Sequence, residues 1–255
     1  SWREAIETSR VYSAAGQLRG NEGQLMAGRP FRAPHHSASA ASLAGGGTPP
    51  KPWEISLAHN GVLFLDELPE FRREALEVLR QPLEDHTIAV SRAAGSVRYP
   101  SRFMLVAAMN PCPCGYFGHP TKECRCLMPA IERYLHKVSG PLLDRIDLHV
   151  SVQPVAYDAI SARTGGEDSA SIRKRVEAAR AFQRQRSGGE DFNADLAGDD
   201  LRRECRLTKE AEALMKNAFE KMGLSARGYD RVLKVSRTIA DMAGAEVIGL
   251  AHVSE

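Results

Sequence analysis

The chain has 255 residues, a formal net charge of +2 and a 43% hydrophobic composition. A chain of this length buries about 75% of its unfolded surface, so it needs no disulfide staples. It contains no run of about 18 apolar residues, which excludes a helical membrane span, and its charge is too nearly balanced to argue for nucleic acid by itself. Five cysteines, four of them in one short loop, point to a reducing compartment with metal-bound or free thiols. The charged, amphipathic first residues are unlike a signal peptide, so the expected location is the cytoplasm.

Residues 4–15 place Ala5, Ile6, Val11, Tyr12 and Ala15 at helical spacing, and Gly16 and Gly20 suggest a stop. No cap or lead-in precedes this helix, which suggests a piece of a longer protein. Residues 28–60 are irregular. Phe31 to His36 reads as a short strand ending in a His doublet, taken as a packed or solvated turn without a catalytic role. Ser37 to Leu43 and Trp53 to His59 read as short helical turns around a Gly/Pro loop at 45–52.

Gly61-Val-Leu-Phe-Leu-Asp-Glu-Leu68 is the stretch that organises the chain. The apolar run Val62 to Leu65 suits a strand buried on both faces of a parallel sheet. Ligands of open α/β sheets bind outside the carboxyl ends of the strands. An acid there can hold Mg²⁺, and the next can orient an attacking water. Asp66 and Glu67 therefore have the form of a Walker B element, with a solvated acidic turn as the competing reading. Pro69 to Leu83 reads as a helix with Phe71, Ala75, Leu76, Val78 and Leu79 on one stripe. Thr87 to Val90 and Ser96 to Tyr99 flank a Gly-containing turn and predict a hairpin. Its Arg92 and Arg98 are solvated edge charges or contacts to nucleic acid. Phe103 to Met109 is a second apolar run, ending in Asn110. A neutral amide at that place can bind a phosphate oxygen or a water, or it can simply open the turn before Pro111.

Cys112-Pro-Cys114 and Cys124-Arg-Cys126 follow. Two such pairs can close a tetrahedral thiolate site for Zn²⁺, although the spacing within each pair is tighter than usual. His119 is a weaker alternative ligand, and a loop of four reduced thiols is the competing reading. Pro129 to Val138 predicts a short helix. Asp147 to Val152 alternates as a strand would, with Arg145 just before it. Residues 154–170 carry Pro154, Gly165 and Gly166 and form the expected linker between an α/β core, 1–153, and an all-α lid, 171–255. In the lid, Ile172 to Arg186 is a helix with a basic face. Thr208 caps a helix to Met222, Ser225 caps another to Gly244 with Arg227 in its first turn, and Val247 starts a last one.

A strand ending Asp-Glu, a strand ending Asn, an Arg before a later strand and an Arg in a capped lid helix, in that order, resemble the AAA+ ATPases. Arg32-Ala-Pro-His-His36, Gly45-Gly-Gly47, Glu54-Ile-Ser-Leu-Ala-His-Asn-Gly61, Leu65-Asp-Glu-Leu-Pro-Glu-Phe71 and Asn110-Pro-Cys-Pro-Cys-Gly115 are similar to the magnesium-chelatase-like members, in particular the ComM/YifB group. The resemblance covers nearly the whole chain. It implies Asp66 on Mg²⁺, Glu67 polarising the attacking water, Asn110 as sensor 1, Arg145 as an arginine finger acting on a neighbouring subunit, and Arg227 as sensor 2 on ATP. It also implies a ring, a hexamer by analogy, with residues 28–60 and 87–99 as pore-facing insertions, and a motor acting on DNA. The alternatives are a chelatase- or chaperone-type ATPase acting on protein and a zinc-containing interaction domain without catalysis. No G-x-x-x-x-G-K-[ST] motif occurs in these residues. The family carries that phosphate loop upstream, so these residues alone are expected to hydrolyse no ATP.

Overall fold

The computed structural model describes residues 1–18, 25–47, 50–92, 95–155, 166–189 and 192–255; of residues 91, 92 and 95 only the backbone is described. The chain divides into two compact units, Ser1–Ile146 and Asp147–Glu255.

The first unit is α/β. Its described strands are β1 (Phe31–Arg32), β2 (Val62–Leu65), β3 (Thr87–Arg92), β4 (Gly95–Pro100) and β5 (Met104–Ala107). β1, β2 and β5 form a parallel sheet in the order β1-β2-β5, with Phe31 opposite Val62 and Val62 opposite Met104. Gly61 is required where β2 begins. A Cβ there would lie 2.0 Å from the Pro30 carbonyl oxygen, the same oxygen that accepts the Val62 N–H at 2.9 Å.

Leu63 and Leu65 are fully buried and pack with Leu43, Ile55, Leu76, Leu79 and Leu142. The opposite face does not match the expectation of burial on both sides. Phe31 is 64% exposed and Met104 65% exposed, and Val106 is exposed beside them. A four-residue apolar run does not reveal how many of its faces are covered, because continuous apolarity has no period to read.

Helix α1 (Trp2–Ala14) is capped, contrary to expectation. The Ser1 hydroxyl accepts the Glu4 N–H at 3.3 Å, and the Glu4 carboxylate reaches back to the residue 1 amino group at 2.6 Å. Val11 and Tyr12 seat the helix on Leu57. The helix expected over 69–83 is interrupted. A 3₁₀ turn at Leu68–Glu70 is followed by short helices at Arg73–Glu77 and Arg80–Asp85. Pro82 lacks the N–H that would bond the Val78 carbonyl, and the helix divides there. β3 and β4 form the expected antiparallel hairpin, with Ile88 and Val90 buried.

The strand expected over Asp147 to Val152 does not form. Leu148, Val150 and Val152 are exposed and find no strand partner among the described residues. Alternation alone does not make a strand without an edge to pair with.

The second unit is helical. Its main helices are Ser169–Ser187, Gly198–Glu204, Lys209–Met222, Ala226–Met242 and Leu250–Ser254. Asp168, Thr208 and Ser225 each cap a helix by accepting an N–H from three residues on. Arg186 is not part of a solvated basic face. Its guanidinium bonds Asp241, Glu204 and Asn193. Arg237 is fully buried; it bonds Asp241 at 3.0 Å and the carbonyls of Glu246 and Ala245. Asp241 thus answers the buried Arg237 guanidinium and the largely buried one of Arg186. Asp241→Ala removes the carboxylate bonded to buried Arg237 and one of the two bonded to Arg186, and should cost about 3–5 kcal/mol in denaturant unfolding. A loss below about 1 kcal/mol, the range of an exposed pair, would show the network to be solvated.

Candidate active site

The parallel register carries the ends of β2 and β5 out of the sheet side by side. The Ala108 N–H donates to Leu65 O at 3.0 Å, and the Leu68 N–H donates to Ala108 O at 3.0 Å. Asp66 and Glu67 therefore leave the same edge as Asn110, and all three are exposed. Asp66 Oδ1 accepts the Glu67 N–H at 2.9 Å, which turns the carboxylate back on the chain and leaves Oδ2 for a cation. Glu67 adopts the left-handed conformation at φ 53°. Its carbonyl accepts the Glu70 N–H at 2.7 Å, so the 3₁₀ turn fixes the kink that swings the second carboxylate away from the first.

The His doublet, given no role from sequence, lies on this edge. His36 Nδ1 is 2.8 Å from Glu67 Oε2. Its ring packs on His35 at 4.0 Å and edge-on to Phe71. β1 ends four residues before His36, so three strand ends contribute to one place. The signal was present in the sequence: a polar doublet just past a short strand, in a sheet whose other strands end in Asp-Glu and Asn.

The other candidate residues are placed differently. Arg145 is 8% exposed, bonded to Glu84 at 2.7 Å and to the Pro141 carbonyl. Arg227 lies exposed in the first turn of the helix Ala226–Met242 in the second unit. Arg98 is exposed on β4, opposite Ala89. The Arg92 side chain lies outside the described residues.

The four cysteines converge. Their sulfurs lie within 4.8 Å of one another, with Cys112 to Cys114 at 3.4 Å and Cys112 to Cys124 at 3.7 Å. Cys112 is fully buried, and its sulfur accepts the Phe117 N–H at 3.3 Å. His119, the alternative ligand, is not in the cluster, and its Nδ1 accepts the N–H groups of Thr121 and Lys122, each at 3.1 Å. The Tyr116 amide and the neighbouring thiols hold Cys114 down at about 6. Against the pull of the Cys126 amide, burial and the Cys114 and Cys112 sulfurs push Cys124 up to about 12. One thiolate forms readily and the next is resisted, a balance that a divalent cation at the centre would remove.

Tyr134, 6% exposed, connects the two places. Burial raises its phenol pKa, the charges of Glu70, Cys112 and Glu67 add to this, and the Asn110 backbone opposes it.

A family model described as Magnesium chelatase, subunit ChlI, matches residues 1–160, and its C-terminal counterpart matches residues 166–255. The chain is 48% identical to Competence protein ComM of Haemophilus influenzae over 99% of its length, covering 48% of that protein. It is 46% identical to YifB of Escherichia coli over 89% of its length, covering 44% of that protein. A Mycobacterium tuberculosis protein, Rv2897c, is 44% identical over 100% of the chain, which covers 50% of the relative. The chain thus spans about half the length of the curated relatives it matches. With a parallel sheet whose strand ends carry Asp66, Glu67 and Asn110, and with these matches over both units, the chain belongs to the magnesium-chelatase-like family of AAA+ proteins, beside ComM and YifB.

Proposed function

We propose that this chain supplies the acidic and sensor half of an ATP-hydrolysing site. The observation that supports this best is the shared strand edge: Asp66, Glu67 and Asn110 leave adjacent parallel strands together, the place where α/β sheets bind ligands. Asp66 holds Mg²⁺ through its outer oxygen. Glu67, its other oxygen on His36, orients the attacking water and accepts its proton. Asn110 fixes that water or the γ-phosphate. The bound nucleotide brings the phosphoryl group and its diphosphate leaving group; a phosphate loop elsewhere in the full-length protein completes its cradle. Arg227 reaches the nucleotide of its own subunit. Arg145 serves a neighbouring subunit in a ring, which requires its bond to Glu84 to open. The test is turnover by Glu67→Gln in the full-length protein.

Zn²⁺ is the proposed occupant of the four-cysteine centre, because four sulfurs in mutual proximity match a closed tetrahedral structural site.

The energy of hydrolysis is proposed to drive movement on DNA. The relative ComM is a competence protein. The first unit also has a cationic groove of about 400 Å³, lined by Phe71, Arg73, Arg133, His136 and Lys137, which has no signature in the sequence. Arg73→Ala with Arg133→Ala should weaken DNA binding and flatten its dependence on log salt by about 1.8, or about 0.9 for each phosphate no longer neutralised. Fluorescence anisotropy between low and moderate salt measures this. An unchanged slope removes the groove from the interface.

A further inference from the structure

We propose that the four-cysteine centre is the device that positions Asn110, so that metal occupancy sets the rate of the chemical step. This deepens the reading above and rests on it. Asn110 is only two residues before Cys112, and the loop folds back onto it. A Cβ built on Gly115, inside the loop, would sit 3.9 Å from Asn110 Cγ and 4.0 Å from its Oδ1. Gly115 is held there at φ +81°, with its N–H donating to Cys112 O at 3.0 Å. The carboxamide of Asn110 therefore lies beside Gly115, one residue after Cys114 in the loop that the sulfur cluster closes. No helix or strand occurs between Ala107 and Met128 among the described residues, so the ladder that holds β5 stops before Asn110. Cys112 and Tyr134 are buried beside this stretch, and the Asn110 backbone hydrogen-bonds the Tyr134 phenol. With a divalent cation bound, the sulfurs are tied and Gly115 stays against Asn110. With the cation gone, no bond ties the four sulfurs to one centre, and the loop that carries Gly115 is free to move away from the carboxamide.

A soft divalent cation is the class of ligand, zinc being the probe to use. The full-length protein, purified with zinc and then stripped by chelation under reducing conditions, should lose turnover at least about tenfold, equal to about 1.4 kcal/mol in the barrier. Its affinity for ATP should stay within about twofold, since the half of the site that binds Mg²⁺ is on another strand. Readdition of zinc should restore turnover. In Asn110→Ala, which keeps all four cysteines, turnover should be low and the same with and without zinc. If zinc still changes turnover in Asn110→Ala as much as in the unmodified protein, the metal acts through something else and the proposal fails. Amide hydrogen exchange gives a readout free of activity. Zinc should slow exchange at Ala108 to Asn110 as well as within the cysteine loop; slowing confined to 112–126 overturns the coupling. Absence of any ATP turnover in the zinc-loaded protein would sink the ATPase reading instead, with the exchange result still deciding the coupling.

Discussion

Glu67→Gln in the full-length protein should bind MgATP within a few-fold of the unmodified protein and turn it over about 10²–10⁴-fold more slowly, the range that a positioned general base contributes. The structure makes this substitution a clean probe. Gln fills the same volume, and the backbone kink at φ 53° is held by the Glu70 N–H and by Asp66 Oδ1, neither of which involves the Glu67 side chain. The contact to His36 Nδ1 at 2.8 Å can survive, since a carboxamide oxygen accepts as a carboxylate does. Only the capacity to take a proton is lost. Asp66→Asn is the contrasting variant: it should weaken nucleotide binding that depends on Mg²⁺, because a neutral amide is a poorer ligand for a hard cation. Steady-state hydrolysis together with nucleotide binding by calorimetry separates the two effects. Turnover by Glu67→Gln above a tenth of the unmodified rate would remove Glu67 from the role of base and leave the acidic pair as a metal site alone.

The sequence made the edge of this site legible and its faces illegible. Val62 to Leu65 and Phe103 to Met109 announced two strands, and the acids and the amide after them marked the carboxyl ends. Those signals are local, written in consecutive residues. Whether a second layer covers Phe31, Met104 and Val106 depends on what packs there, which no apolar run encodes. His36 was missed for a related reason. A His doublet has no periodicity, and only the parallel pairing of β1 with β2 brings it to Glu67. Arg145 was legible as an ion-paired residue and not in the element it adjoins. A salt-bridged Arg at a strand start was expected; the ion pair forms, to Glu84, but Arg145 follows the helix Gly140–Leu143 and no strand comes after it among the described residues. Arg186 shows the same limit: one-dimensional charge counting placed it on a basic face, and pairing with Asp241 and Glu204 places it inside. The capped helices of the second unit were the easiest part to read, since a Thr or Ser before an amphipathic run acts through its own next turn.

Removal of metal should have the largest effect on the structure of the first unit. A structural zinc ion contributes ~10–16 kcal/mol in a peptide-sized domain, and residues 108–127 have no helix or strand to replace it. The four sulfurs lie within 4.8 Å of one another, close enough to share one cation. Protein made under reducing conditions should therefore carry one zinc per chain. Replacement by Co²⁺ should give the absorption of a tetrahedral thiolate site. Cys112→Ser should lose the metal outright, because the buried sulfur also receives the Phe117 N–H and anchors the loop to the core beside Tyr134. Metal affinity should fall as the pH is lowered, since each ligand must release its proton to bind. The sign follows from Cys124, whose thiol is held up at about 12 without metal: its proton is the hardest to displace, so acid competes there first. Protein that contains no stoichiometric metal, yet protects the amides of 112–126 from hydrogen exchange, would show that packing alone holds the four thiols together.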